Sequence, residues 1–145
     1  MSGVGILHWD PVRGVEKVEA FEGSLSEVGE SLEIFLRGFP SDEAEVVCER
    51  FVITTRTGTL ASPDWSLKVC GAVEWLIWKH WKRFGADTIQ YQSAGDAKRL
   101  VPNPILHKAG IWHRGGEGHA NDALRHGIFR YATGYKMTEV WDDVE

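Results

Sequence analysis

The sequence predicts one mixed α/β domain over residues 1–145, and three observations support this fold class. Strand-like apolar segments alternate along the chain with segments of helical periodicity, as in α/β proteins. The sequence contains no internal repeat, low-complexity stretch or linker at which a second domain would begin. With 145 residues, 43% of them hydrophobic and 26% charged, the chain has the composition of a globular protein that can bury its own core.

The first quarter of the chain is predicted to form a hairpin followed by a helix. Gly3–Trp9 is an apolar strand, Asp10–Gly14 has the composition of a turn, and Val15–Glu22 shows imperfect strand-like alternation. Ser24 is a plausible N-cap for the helix, whose apolar residues recur at helical spacing. Gly38 is expected to end it, because glycine commonly follows the last helical turn.

The remaining elements alternate between strands and helices. In chain order we predict a strand over Glu45–Ile53, a long helix from Asp64 or Ser66 to about Phe84, a strand over Asp87–Gln92, a short helix over Asn103–Ala109 and a final helix over Ala120–Tyr135. The middle of the long helix, Val69–Trp78, carries a single charge, at Glu74. A helix that is apolar on nearly all sides must be covered on more than one face.

Charge and cysteine content limit the partners and the location. The net charge is −5, so overall charge does not indicate nucleic-acid binding, although a nuclease needs only a local basic rim. Cys48 and Cys70 lie in apolar runs and are expected to be buried, reduced thiols, as in cytosolic proteins. The sequence has no membrane-length apolar run and no signal-peptide pattern, so we expect a cytoplasmic protein without a membrane partner.

Glu49 stands in the middle of an otherwise apolar strand, VVCERFV. A carboxylate in such a position costs several kcal/mol unless it is paired, binds a metal or lies where the strand emerges. Two interpretations remain open from the strand alone. Glu49 is either a metal ligand or a strand-end residue paired with a neighbouring Arg or Lys.

A glycine-rich segment, GGEGHANDAL, places His119 and Asp122 three residues apart at the start of the last helix. This spacing puts both side chains on one helix face, where they can bind one ion or one water. The alternative is that Asp122 complements the helix dipole and His119 is an ordinary surface residue. In the stretch Ser93–Arg99, basic residues follow a strand and either contact phosphate or begin a solvated helix.

The strand carboxylate and the acid–imidazole pair together indicate a hard, oxygen-rich site. Mg²⁺ or Mn²⁺ prefers such ligands and retains waters that can attack phosphorus. Zinc is disfavoured, because the His and Cys residues show no spacing typical of a structural zinc site. The residues therefore favour metal-dependent phosphodiester hydrolysis.

Several segments resemble the RuvC-like resolvases of actinobacterial phages, which belong to the RNase H-like superfamily. These are VVCERFVI with its threonine-rich loop, SPDWSLKVCGAVEWL, QSAGDAKRLVPN and GGEGHANDALRHGIF, and the resemblance extends from about Gly3 to Tyr131. It implies an RNase H-like mixed sheet flanked by helices. It also implies a structure-specific endonuclease that resolves Holliday junctions, acting in the host cytosol if the protein is phage-encoded.

The resemblance assigns Glu49, His119 and Asp122 as catalytic and metal-binding residues for Mg²⁺ or Mn²⁺. It also implies a homodimer formed through the helix around Val69–Trp78, which would present two active sites to a symmetric junction. Basic residues on loops and helix starts are our candidates for contacts to branched DNA: Arg56, Lys68, Lys98, Arg99 and Arg114.

The chain departs from the family at its beginning. The family opens with a central strand that carries an Asp-Pro-Gly-type motif, whereas Met1–Gly5 here matches the turn that follows it. We therefore expect the first strand and its Asp to be encoded upstream of Met1, in frame. A degenerate, inactive copy, or a replacement carboxylate such as Asp96, would also explain the departure. The competing functions are a catalytically impaired junction-binding or scaffold protein, and an RNA–DNA hybrid nuclease.

Overall fold

The structure is a computed structural model, and it describes residues 2–10, 12–50, 63–83 and 89–134, without the side chains of residues 63–66. The described residues fall into two compact units. The hairpin unit draws on Met1–Ser24 and Ala94–Glu145, and the parallel-strand unit on Leu25–Ser93. Each unit contains strands and helices, which confirms the mixed α/β class. The RNase H-like sheet and the single domain over 1–145 stay predictions.

The described elements follow one another along the chain with strands and helices interspersed. In order they are β1 (Ser2–Asp10), β2 (Gly14–Gly23), α1 (Leu25–Gly38), β3 (Val46–Glu49), α2 (Pro63–Trp81), β4 (Ile89–Gln92), α3 (Ala94–Leu100), α4 (Asn103–Lys108) and α5 (His119–Gly134). The sequence predicted all of them except α3, for which it offered a solvated helix start as one of two interpretations.

The predicted hairpin is confirmed, and its turn is closed by Asp10. Strands β1 and β2 pair antiparallel, with Ser2 opposite Gly23. The Oδ1 atom of Asp10 accepts hydrogen bonds from the backbone N–H groups of Val12 at 2.8 Å and Arg13 at 3.0 Å. An aspartate that binds the backbone two and three residues ahead stabilises a tight turn. The hairpin therefore forms from local interactions.

Helix α5 packs against β1 and forms the core of the hairpin unit. The fully buried residues of this core include Val101, Leu106 and Ile128, and Leu7 and Trp112 pack against them. Leu7 comes from β1 and Ile128 from α5, so the apolar faces of the strand and the helix meet directly. Burial of these side chains is what fixes the helix on the hairpin.

Two glycines of β1 allow the strand to lie very close to α5. A Cβ added at Gly5 would come within 2.9 Å of the backbone nitrogen of Leu124, and one added at Gly3 would overlap the carbonyl of His119. Because both obstacles are helix backbone, they cannot move aside as a side chain would. The strand register is therefore coupled to the position of the first turns of α5.

In the parallel-strand unit, β3 and β4 are parallel neighbours joined through a segment that contains α2. Glu49 pairs with Gln92 at the end of this register. Parallel strands need a crossover connection of this kind, usually helical. Leu36 of α1, Ile77 of α2 and Ile89 of β4 are the buried centre of the unit. The two helices and the strand pair thus share one core.

Glu33 links α1 to α2 on the surface of the same unit. Its Oε1 atom lies 2.8 Å from the Nζ of Lys79 and 2.9 Å from the Nε2 of His80. Hydrogen bonds from Lys79, and then from His80, lower the pKa of Glu33 to about 2.

Among the described helices, none is long and apolar enough to cross a membrane.

We expect Gly5→Ala to destabilise the hairpin unit by about 1–3 kcal/mol, the usual cost of forcing an extra methyl group into a packed interface. The matched control is Gly29→Ala in α1, where an added Cβ meets none of the described atoms within 4 Å. Replacing a helical glycine by alanine there should increase stability by about 0.5–1 kcal/mol. Denaturant unfolding of both variants checks the prediction, and equal effects would contradict it.

Candidate functional site

The residues predicted to bind metal lie on two different elements. His119 is the first residue of α5, and Asp122 lies within the same first turn, both in the hairpin unit. Glu49 is the last residue of β3, in the parallel-strand unit. Helix α5 begins at His119, so His119 and Asp122 both belong to its first turn, and their shared role at a metal site stays a prediction.

The glycine loop before α5 has a backbone that requires glycine. Gly115, Gly116 and Gly118 have φ angles of +84°, +72° and +94°, in the left-handed region that side chains disfavour. A Cβ at Gly116 would also come within 2.4 Å of the Oε2 atom of Glu22, so a larger residue there would displace this carboxylate. The loop therefore wraps tightly around the carboxylate of Glu22.

Glu22, near the end of β2, binds this loop through backbone hydrogen bonds. Its Oε2 accepts the N–H of Glu117 at 2.7 Å, and its Oε1 accepts the N–H of Ala120 at 3.0 Å. The first amides of a helix have no partner within the helix and attract negative charge. These bonds, from Ala120 first and then Glu117, hold the pKa of Glu22 below its ordinary value. Glu22 is therefore a charged cap that fixes the start of α5.

Asn121 holds the other side of the same helix turn. Its side chain is buried, its Oδ1 accepts the backbone N–H of His113 at 2.8 Å, and its Nδ2 donates to the His113 carbonyl at 2.9 Å. A buried amide with both ends satisfied positions its backbone firmly. The first turn of α5 is thus held from two directions.

His119 and Asp122 are both partly exposed and contact different groups. The side chain of His119 is 42% exposed, and its Nε2 lies 3.3 Å from a carboxylate oxygen of Glu117. The side chain of Asp122 is 34% exposed, with the Nζ of Lys98 at 3.9 Å and a guanidinium nitrogen of Arg125 at 3.8 Å. Both side chains are accessible to a solute, and the charge of Asp122 is partly balanced by cations.

Arg125 lies beneath Asp122 on α5 and is almost completely buried. One terminal nitrogen of its guanidinium donates to Oδ1 of Asn103 at 2.6 Å, which ties α5 to the start of α4. A buried guanidinium needs several acceptors, and its Nε atom has none among the described groups. Arg125 therefore connects two helices and contributes positive charge below the candidate site.

Glu49 is exposed at the end of β3 and pairs in register with Gln92 of β4. Cys48, just before it, faces Cys70 of α2, and the two sulfur atoms are 3.8 Å apart. The site role of Glu49 stays a prediction. Within the described residues, no group of three or more His, Cys, Asp or Glu side chains is arranged to hold a metal ion.

The basic residues predicted to contact DNA are spread over several elements. Lys98 lies on α3 beside Asp122, and Arg99 on the same helix pairs with Asp96 at 3.3 Å. Arg114, just before the glycine loop, and Lys68, on α2, are exposed. Arg56 lies outside the described residues. Within the hairpin unit, Lys98 approaches Asp122 and Arg114 lies shortly before His119 in the chain.

Sequence reasoning missed Glu22 and Asn121, which hold the site together. In the sequence, Glu22 is only the last residue of a predicted strand, and Asn121 lies between the candidate site residues His119 and Asp122. A signal for Glu22 does exist. A glycine-rich loop that opens a helix exposes backbone amides, and a carboxylate is a suitable acceptor for them.

Searches for related proteins give no support to any family assignment. No family model, curated protein or solved structure matches the chain.

We expect Glu22→Ala to free the glycine loop, so that the amide protons of Glu117 and Ala120 exchange much faster with solvent. The control is Glu19→Ala on the same strand, because Glu19 pairs with Lys17 and His8 rather than with the loop. Hydrogen exchange followed by NMR measures both variants. Unchanged protection of the two amides in Glu22→Ala would contradict the capping role.

The Glu22 cap should also respond to pH. Because its pKa is lowered in the folded protein, the stabilisation is complete above the ordinary carboxyl pKa and is lost as pH falls through the lowered value. In the wild type, the exchange protection of Ala120 relative to the rest of α5 should therefore fall only in acid. In Glu22→Ala this relative protection should not depend on pH.

Proposed function

We propose that the protein is a RuvC-like, metal-dependent endonuclease that hydrolyses phosphodiester bonds in branched DNA, above all at four-way junctions. The observation that carries the proposal is the first turn of α5. It presents a partly exposed imidazole and carboxylate, His119 and Asp122, from a glycine loop fixed by Glu22. A rigidly held acid–imidazole pair with a basic side chain beside it suits phosphate chemistry.

The donor atoms of this turn fit a hard divalent cation, since they are carboxylate oxygens and an imidazole nitrogen. In the proposed site Asp122 and Glu49 would hold Mg²⁺ or Mn²⁺, and His119 would be a further ligand or would orient the attacking water. When bound, such an ion would supply an activated water and charge stabilisation for the leaving oxygen. The proposal requires Glu49 and Asp122 to approach one shared site.

We assign phosphate contacts to five basic side chains, of which Lys98 and Arg114 belong to the hairpin unit near this turn. The Nζ of Lys98 is 3.9 Å from Asp122, so it can neutralise a phosphate brought to the carboxylate. Arg114 precedes the glycine loop and is exposed. Lys68, Arg99 and Arg56 complete the proposed DNA-contacting set. Such contacts position the backbone of the DNA and carry no sequence preference.

We further propose a homodimer through the helix around Val69–Trp78. Helix α2 has an exposed stripe of residues at four-residue spacing, with Leu67 48% exposed and Trp75 60% exposed. Between them, a Cβ added at Gly71 would meet none of the described atoms within 4 Å. A large aromatic beside an open glycine is a suitable surface for close helix packing, since buried Trp residues often dominate interfaces.

One observation favours a second candidate, a non-catalytic junction-binding or scaffold protein. The carboxylate of Asp122 is already approached by two cations, Lys98 and Arg125. Positive charge at this distance competes with a metal ion for the carboxylate. A protein with this arrangement could bind branched DNA without cutting it.

We expect the purified full-length protein to nick a synthetic four-way junction in the presence of Mn²⁺ and to lose this activity in site variants. His119→Ala should lower the rate about 10²- to 10⁴-fold, the usual contribution of a general acid–base group. Asp122→Asn and Glu49→Gln should each lower the rate by more than roughly tenfold to a hundredfold, which is the usual cost of removing a group that only supports a metal ligand. Glu16→Gln, at an exposed position of β2, is the control and should retain full activity.

The same assay separates the competing functions. Junction binding in a gel-shift experiment without metal-dependent nicking would select the scaffold protein. Faster cleavage of an RNA–DNA hybrid than of the junction would select a hybrid nuclease. Undiminished nicking by Glu49→Gln would remove Glu49 from the site.

The dimer is tested by replacing its exposed aromatic. Trp75→Ser should raise the dimer dissociation constant about 30-fold, because a Trp at the centre of an interface contributes about 2 kcal/mol or more. Val12→Ser, which alters an exposed apolar residue of the hairpin turn, should leave it unchanged. Light scattering over a concentration series measures both, and a monomeric wild type at every concentration would end the dimer proposal.

A further inference from the structure

Cys48 and Cys70 come together although they belong to different elements and are separated by 22 positions in the sequence. Cys48 lies on β3 and Cys70 on α2, and their sulfur atoms are 3.8 Å apart. A disulfide bond is about 2 Å long, so each sulfur needs to move by only roughly 1 Å, which small side-chain rotations can supply. The two thiols are therefore close to bonding geometry in the folded protein.

The pair lies at the point where β3 meets α2. Cys48 packs against the core centred on Leu36, Ile77 and Ile89. The Sγ of Cys70 lies 3.9 Å from the backbone carbonyl of Glu49, so the contact reaches the last residue of β3. A covalent bond here would join the strand that carries Glu49 to the long helix.

We propose that Cys48 and Cys70 form a reversible disulfide that clamps β3 to α2 when the protein meets a disulfide oxidant such as oxidised glutathione. The thiolate of Cys70 attacks one sulfur of oxidised glutathione, which forms a mixed disulfide and releases one reduced glutathione. The thiolate of Cys48 then attacks the Cys70 sulfur and releases the second. Two protein thiols are oxidised, one glutathione disulfide is reduced to two thiols, and the two protons lost from the cysteines are taken up by the departing thiolates.

The order of attack follows from the surroundings of Cys48. Cys48 packs against the buried core of the unit, whereas Cys70 is not among the described residues of that cluster. Oxidised glutathione is a bulky, charged molecule, so it should react first with Cys70, and Cys48 then closes the bond from within the unit.

Closing the bond should stabilise the parallel-strand unit, because the cross-link reduces the number of conformations that the unfolded chain can adopt. Glu49 would keep its place at the end of β3 with less freedom to move. This inference does not depend on the nuclease proposal, since it concerns only two thiols and the elements that carry them.

Mass spectrometry of the native full-length chain after incubation with oxidised glutathione tests the clamp. We expect wild-type protein to lose two hydrogens, to yield a Cys48–Cys70 cross-linked peptide and to remain unlinked to other chains on a non-reducing gel. Dithiothreitol should restore both thiols. The denaturant midpoint should be higher for the oxidised protein than for the reduced one.

Cys48→Ser and Cys70→Ser are matched controls, and neither should gain stability on oxidation. Cys48→Ser should stop at a glutathione adduct on Cys70. Two free thiols in wild type after prolonged incubation would overturn the clamp, as would stable glutathione adducts on both cysteines or a cross-link between chains. Because the peptide map is read on the wild type, the test holds even if a variant fails to fold.

Discussion

The carboxylate of Glu22 organises the first turn of α5, and the candidate site depends on it. It accepts hydrogen bonds from the backbone N–H groups of Glu117 and Ala120, which lie 95 and 98 positions later in the sequence. Glu22 therefore joins the end of the hairpin to the glycine loop. Close packing of β1 against α5 at Gly3 and Gly5 strengthens the same junction. Gly3 and Gly5 of β1, the carboxylate of Glu22 and the first turn of α5 therefore form one connected set of contacts.

This arrangement has a chemical consequence for His119 and Asp122. Since the backbone beneath them is held by Glu22 on one side and by Asn121 on the other, their side chains project from a rigid base. Rigid placement lowers the cost of binding an ion or a phosphate, because little motion has to be frozen. The basic neighbours Lys98 and Arg125 can act in either of two ways. They assist phosphate binding in a nuclease, or they neutralise Asp122 in a protein that only binds DNA.

The sequence predicts best those features that form between residues close together in the chain. The hairpin turn follows from Asp10, which binds amides two and three residues ahead, and α1 follows from its apolar spacing. Helix α3 was left as an open alternative because seven residues carry too little periodicity. The glycine loop signals that an acceptor is needed for its exposed amides, but it does not identify Glu22, which lies 95 positions from Glu117. For the same reason the sequence could propose that Glu49 joins His119 and Asp122 but could not establish it.

The central claim is that Glu49, His119 and Asp122 gather around one divalent ion. Paramagnetic broadening by Mn²⁺ in the NMR spectrum of the labelled protein tests this directly, because the effect falls steeply with distance from the ion. Titration with a small amount of Mn²⁺ should broaden the signals of all three residues together and leave those of Glu16 and Glu33 sharp. Broadening of His119 and Asp122 without Glu49, or none at these residues, would contradict the account.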